Sequence, residues 1–187
     1  MGTHTQSVMD REASDTEEAK RLGESIIAWL IEQEIILNKL TDCCHGPGYP
    51  PGPHFMRACA DTREDSGEFS YAQIQEIQTN GVELSINRNV FFNAQGNYGP
   101  ARCPHCDTEH DIDLFYQATS EWMNGGHGEI ECTQCARVAP VTAWEHDDLL
   151  VGALGLQFWN WPELSADFLL ELQRHSGHRW SRIFGKL

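Results

Sequence analysis

Four cysteines in two close pairs constrain this chain more than any other feature. Cys103 and Cys106 form one C-x2-C step, Cys132 and Cys135 form another, and 25 residues separate the steps. Two residues between cysteines let one tight turn aim both sulfurs at a single ion. The amides of such a turn can donate to the thiolates and soften their charge. Two turns supply four thiolates, the closed tetrahedral set of a structural zinc site. The gap exceeds the usual ~15–20 residues of such motifs, and it has room for a helix. The pattern therefore predicts a zinc ribbon with a helical insertion, spanning about residues 100–140. Iron–sulfur ligation needs the same four residues and is not excluded by spacing. A disulfide pair or a redox C-x-x-C explains two such steps less well than a metal does. Four cysteines leave no open coordination position, so the metal is read as stabilising rather than catalytic. His105, inside the first turn, is a weak substitute ligand. His110 and His127 are expected to be ordinary surface residues.

The remaining cysteines, Cys43, Cys44 and Cys59, bring the total to seven. An odd number argues against a disulfide framework and for a reducing, cytoplasmic compartment. Cys43, Cys44 and His45 lie in TDCCHGPGYPPGPH, a stretch rich in Pro and Gly that reads as a rigid loop. Adjacent cysteines rarely aim both sulfurs at one tetrahedral ion, and no second pair lies nearby in sequence.

Periodicity outlines the rest as α+β: an antiparallel sheet with flanking helices and the inserted zinc-ribbon module. Residues 1–15 are polar and read as a disordered leader, and residues 16–187 as a single domain. Asp15 or Thr16 caps a helix carrying Leu22, Ile26, Ile27, Leu30 and Ile31 on one stripe. Val82, Leu84 and Ile86 alternate as a half-buried strand after an Asn80-Gly81 turn. Asn87 to Asn89 reads as a second turn, leading to another strand at Val90 to Phe92. Ile112, Leu114, Phe115, Ala118 and Trp122 repeat at helical spacing behind an Asp111 or Asp113 cap. Leu149 to Trp161 reads as a buried strand. Ser165 caps a helix that Gly177 ends, and Arg179 to Phe184 reads as a last strand. The Trp159-Asn160-Trp161-Pro162 segment is expected to pack in the core.

The net charge is −15. Residues 1–173 carry −19 and the last fourteen carry +4. Such a surface repels phosphate backbones and anionic lipid, which argues against nucleic acid and membranes; it favours a basic protein partner, and it serves plain solubility equally well. No stretch approaches the roughly 18 apolar residues of a membrane span. The acid clusters Asp61, Glu64, Asp65, Glu68 and Glu145, Asp147, Asp148 are the expected contacts for that partner.

Catalytic motifs are absent. There is no phosphate-binding G-x-x-x-x-G-K-[ST] loop, no G-x-S-x-G elbow, no H-E-x-x-H and no G-x-G-x-x-G. His146 beside Asp147 and Asp148 reads as a charged turn. Arg174 to Arg179, with His175 and His178, reads as cations complementing a helix C-terminus rather than an anion site. The chain is therefore read as non-enzymatic. The competing readings are a zinc-ribbon adaptor or scaffold, and a zinc-stabilised enzyme acting on a small polar substrate.

Several segments together resemble one bacterial family. They are Trp29 to Gln33, Asp42-Cys43, Gly48 to Pro53, Arg102 to Cys106, Phe158 to Pro162, His178 and Phe184 to Leu187. The group consists of zinc-ribbon proteins that often carry the label "sugar ABC transporter ATPase". This chain lacks the phosphate-binding loop that label requires. The resemblance also implies genes found beside secreted antibacterial toxins. It points to an immunity protein against a type VI secretion nuclease toxin, whose basic cleft an acidic protein would cover.

Overall fold

The computed structural model describes residues 3–13, 15–60, 71–96 and 98–186. It is a mixed α/β molecule whose main sheet has four antiparallel strands. The chain begins with strand β1 (His4–Asp10), followed by helix α1 (Thr16–Glu32) and a short helix α2 (Tyr71–Glu76). Strand β2 (Gly81–Phe92) comes next. Two small hairpins, β3 (Ala101–Arg102) with β4 (Glu109–His110) and β5 (Glu129–Glu131) with β6 (Val138–Pro140), flank helix α3 (Ile112–Met123). Strand β7 (Leu149–Trp159), helix α4 (Ala166–Ser176) and strand β8 (Trp180–Lys186) complete the described elements. The main sheet runs β2-β7-β1-β8.

The N-terminal residues correct the leader expectation. β1 lies inside the sheet, paired with β7 on one side and β8 on the other. Its polarity hid it, because Thr5, Gln6, Ser7 and Asp10 are all buried. Burying such groups is tolerated only when each finds a partner. The Gln6 amide donates to the Pro162 carbonyl at 2.7 Å, and its oxygen accepts from the Leu164 amide at 2.7 Å. Asp10 accepts from the amides of Glu12 and Ala13, both at 2.7 Å, and holds His178 Nδ1 at 2.8 Å. These bonds do for β1 what apolar alternation does for an ordinary strand.

β2 corrects the second turn. Asn87 to Asn89 does not reverse the chain, and β2 is one twelve-residue strand. Its pairing to β7 jumps from Ile86↔Leu154 to Asn89↔Gly152, so one extra residue is absorbed as a bulge, with Asn87 at φ 114°. The long apolar β7 continues opposite, and that continuity keeps the strand from turning back.

α1, α3 and α4 form where capping and periodicity place them, whereas α2 lies in a stretch whose alternation reads as strand. The Asp15 carboxylate accepts the Glu18 amide at 2.8 Å, and Glu17 and Glu18 stand in the first turn where the helix dipole favours acid. Ser165 Oγ accepts the Phe168 amide at 3.0 Å, and Gly177 ends α4 in the left-handed region at φ 77°. α1 and α4 bury Leu22, Ile26, Leu30, Phe168 and Leu172 with Val8, Val82, Leu154, Leu156 and Phe158 of the sheet. Each such side chain contributes about 1.5–3 kcal/mol when fully buried. Trp159 and Trp161 are buried as well.

One residue from each strand of the main sheet, Met9, Phe91, Leu150 and Ile183, builds a second small core. Gly155 makes it possible, because a Cβ there would stand 2.4 Å from the Phe91 ring. A third core joins the two hairpins and α3 to the start of β7. It holds Phe115, Trp122, Ile130, Val141 and Trp144 together with Leu149 and Val151.

Candidate metal centre

The two C-x2-C steps fold as near copies of one turn. In the first, the Cys103 amide donates to Thr108 O at 3.0 Å and Asp107 N to Cys103 O at 2.9 Å. In the second, the Cys132 amide donates to Arg137 O at 2.9 Å and Ala136 N to Cys132 O at 2.8 Å. The residue after the second cysteine is left-handed in both, Asp107 at φ 59° and Ala136 at φ 55°. In each turn an amide also points at the leading sulfur. His105 N donates to Cys103 Sγ and Cys135 N to Cys132 Sγ, both at 3.4 Å.

α3 and the two hairpins bring the turns face to face. The four Sγ atoms lie within 4.8 Å of one another. Cys103 and Cys135 sulfurs are 3.9 Å apart, and those of Cys106 and Cys132 are 3.6 Å apart. Thiolates bound at ~2.3 Å in a regular tetrahedron stand ~3.8 Å apart, so the set fits one tetrahedral ion such as zinc. Cys103 and Cys132 are buried, Cys135 is half-buried and Cys106 is exposed, so the centre sits just beneath the surface.

The thiols are not equivalent. Hydrogen bonds from the Thr108 side chain and amide pull Cys106 down to about 6, so it offers a thiolate at neutral pH. At Cys135 the Arg137 amide lowers the value, but burial and the three neighbouring sulfurs outweigh it and push the thiol up to about 11. Four thiolates this close repel one another, and a divalent cation at their centre removes the conflict.

His110 corrects the surface-residue expectation. It is buried, its Nε2 lies 3.2 Å from Cys132 Sγ, and its ring meets the Trp144 ring edge-on at 5.0 Å. It is therefore the partner of a cluster sulfur, the kind of group that would orient that thiolate and tune its charge toward a metal. Its place opposite Ala101 in the first hairpin is what brings it to the sulfurs, and no local sequence pattern marks it.

Arg88, at the β2 bulge, ties the main sheet to this module. Its guanidinium lies over the Trp122 ring at 5.0 Å and donates to the carbonyls of Trp122 and Gly126, the latter at 2.8 Å. It thus caps the C-terminus of α3, where the dipole favours a cation.

The other sequence candidates are placed as follows. Asp61, Glu64, Asp65 and Glu68 lie outside the described residues. Glu145 and Asp147 are exposed, and Asp147 pairs with Arg102 at 2.8 Å. That hydrogen bond holds the Asp147 carboxyl below its ordinary range. Asp148 accepts from Asn93 Nδ2 at 2.9 Å. His146 is buried rather than part of an open turn. Its Nδ1 accepts the Asp148 amide at 2.9 Å, which leaves Nε2–H to donate to Gly99 O at 2.8 Å. In the basic stretch at the end of α4 and just beyond it, His178 meets Asp10, Arg179 Nε meets Glu12 at 3.1 Å, and His175 stacks on Trp29 at 5.1 Å. Cys59 is buried with its thiol pushed up to about 12 by desolvation.

A cavity of about 940 Å³ opens beside the first residues of β1, with Gln6, Thr79, Asn160, Trp161 and Glu163 in its lining. Most of these polar groups serve the fold. Asn160 bonds the His4 amide and Thr79 O, Gln6 bonds Pro162 O and Leu164 N, and Glu163 pairs with Arg182 at 3.2 Å. Among the described residues no helix is long and apolar enough to cross a membrane. Comparison of the chain with protein-family models, with curated proteins and with solved structures finds no match.

Proposed function

We propose that this chain is a non-enzymatic acidic binding protein, held in shape by a structural zinc ion, that takes a basic protein partner. The observation that carries the reading is where the charge sits. Residues 101–148 hold ten acidic residues against two arginines. Nine of those acids are exposed: Asp107, Glu109, Asp111, Asp113, Glu121, Glu129, Glu131, Glu145 and Asp147. The helical period sets Asp113, Tyr116, Ser120 and Met123 along one exposed stripe of α3, with Tyr116 42% and Met123 44% accessible. Aromatic and Met side chains in a charged rim are the usual make-up of a binding face. The metal fixes that face in advance, so less ordering entropy is lost on association.

The family resemblance narrows the partner to a nuclease-type antibacterial toxin whose basic cleft the acids would cover, which makes the chain an immunity protein. Its acids would speed encounter by electrostatic steering, an effect that weakens with added salt. The test is binding to, and protection from, the product of the neighbouring gene. The expected result is a complex whose association slows as salt rises, with cells protected. No binding at micromolar concentration, or no protection, overturns the immunity reading. Reversal of Glu129 and Glu131 to Lys is expected to slow association while leaving the thermal midpoint unchanged.

A further inference from the structure

Outside the metal centre, Cys43 and Cys44 form a second sulfur site. Their Sγ atoms lie 3.8 Å apart, and both side chains are half-buried. The loop that carries them is fixed to the start of β2. Tyr49 and Val82 exchange two backbone hydrogen bonds at 2.9 Å, and the Asn80 amide donates to Cys43 O at 2.7 Å. Two glycines from different segments make room for the sulfurs. A Cβ on Gly48 would stand 2.5 Å from Cys44 Sγ, and one on Gly81 would stand 2.5 Å from Cys43 Sγ. The sulfurs thus occupy a cradle that any other residue at either position would fill.

The geometry decides among the fates open to such a pair. A disulfide is disfavoured. Adjacent Cα atoms are ~3.8 Å apart across a trans peptide, below the ~4.4–6.8 Å a relaxed disulfide spans. A closed zinc site is also disfavoured. Among the described residues the one group of three or more metal-ligating side chains is the four-cysteine set, so this pair has no third protein ligand. The His45 ring stands edge-on to Trp159 at 4.6 Å. A linear two-coordinate ion puts its two sulfurs on opposite sides, two full metal–sulfur bonds apart, which is wider than the 3.8 Å found here. A bent bridge through one atom accepts them close to where they are.

We propose that Cys43 and Cys44 form a chelating dithiol for a trivalent, monosubstituted arsenical or a chemically equivalent thiophilic centre, which brings its own third substituent. In the step, two S–H and two As–OH bonds break, and two As–S bonds and two waters form. Arsenic stays trivalent, and no oxidant or reductant enters. Burial, the neighbouring Cys43 and the Glu83 carboxylate push the Cys44 thiol up, so the site holds S–H hydrogens for the departing waters.

The probe is phenylarsine oxide, added at one equivalent to the full-length, zinc-loaded protein and followed by native mass spectrometry. The expected product carries one phenylarsenic group per chain, on the peptide holding residues 43–44, with zinc retained. Excess dithiothreitol should release it, whereas 2-mercaptoethanol at the same thiol concentration should not, because only a dithiol replaces a chelate. Cys43→Ser and Cys44→Ser should each retain the probe about tenfold or more weakly. Undiminished capture by the double serine variant overturns the proposal. Equal release by the monothiol, or capture accompanied by zinc loss, overturns it on the unmodified protein, independent of how the variants fold.

Discussion

Replacing Cys132 with Ser tests the metal centre at its most buried ligand. Cys132 is 0% exposed, receives the Cys135 amide and has His110 against its sulfur. Structural zinc in small modules contributes roughly 10–16 kcal/mol, and that binding energy is folding energy. Whole domains are stable by only ~5–15 kcal/mol, so residues 101–143 are expected to lose their fold once zinc is no longer held there. The core under α1 and α4 contains no residue of that segment and should survive. Zinc content by elemental analysis is expected to drop from one per chain to near zero. Amide hydrogen exchange in α3 should accelerate by about three decades or more, since ~1.4 kcal/mol is a factor of ten, while α1 and α4 stay protected. If the variant kept one zinc and a protected α3, three sulfurs and a water would suffice. The closed-site reasoning would then fail. Equal loss of protection everywhere would refute the separation of the two cores.

His110→Phe keeps the ring against Trp144 but removes the nitrogen at Cys132 Sγ; zinc affinity, measured by chelator competition, should weaken ~10–100-fold with the module still folded at saturating zinc. Zinc should stay bound at pH 7 and be released on acidification. The Cys106 thiol is depressed to about 6 when folded, so its contribution is present above its ordinary value and lost as pH falls through about 6; a bound cation moves the loss lower still, and a chromogenic chelator reads the release. Gln6→Leu leaves the Leu164 amide and the Pro162 carbonyl without their partner and should cost ~1–3 kcal/mol in urea unfolding; an unchanged midpoint would return β1 to a dispensable leader. Arg88→Ala removes two charge-assisted bonds at the end of α3 and should cost ~1.5–3 kcal/mol, seen as faster exchange in α3 before any change in α1.

The parts of this molecule that follow from local rules were legible in its sequence. Cys103, Cys106, Cys132 and Cys135 announced themselves by spacing, because a two-residue gap has few other uses. Asp15, Asp111 and Ser165 announced helices because a cap acts within three residues. What stayed hidden depends on partners far along the chain. β1 looked like a tail because Gln6 and Asp10 are satisfied by Leu164 and His178, about 160 residues away. Asn87 carried a turn signal, and it does have a positive φ. Whether such a residue makes a turn or a bulge is decided by the strand opposite, which local sequence does not show. His110 had no apolar pattern to mark it as buried. Its place follows only once both sulfur turns have met.

The bulge also sets how the two halves of the molecule communicate. β7 runs through both cores, with Leu149 and Val151 in the one around the cysteines and Leu154, Leu156 and Phe158 in the helix-covered one. β2 does the same, with Val90 packed on the first and Val82 buried in the second. The register between them breaks between Ile86 and Asn89. A ladder opened from the metal side loses Phe92 to Asn89 first and reaches a point where pairing is already interrupted. Opening further would expose Ile86 and Leu84, which pack on the other core. The bulge is therefore the natural stop for fraying when the metal leaves. Arg88, projecting from it onto the end of α3, ties the acidic module to the strand at that same point. Exchange in the metal-free protein should accordingly divide β2 at the bulge, with Gly81 to Ile86 protected and Asn89 to Phe92 open. A boundary anywhere else in β2 would mean that the register break does not control the coupling between the acidic face and the sheet.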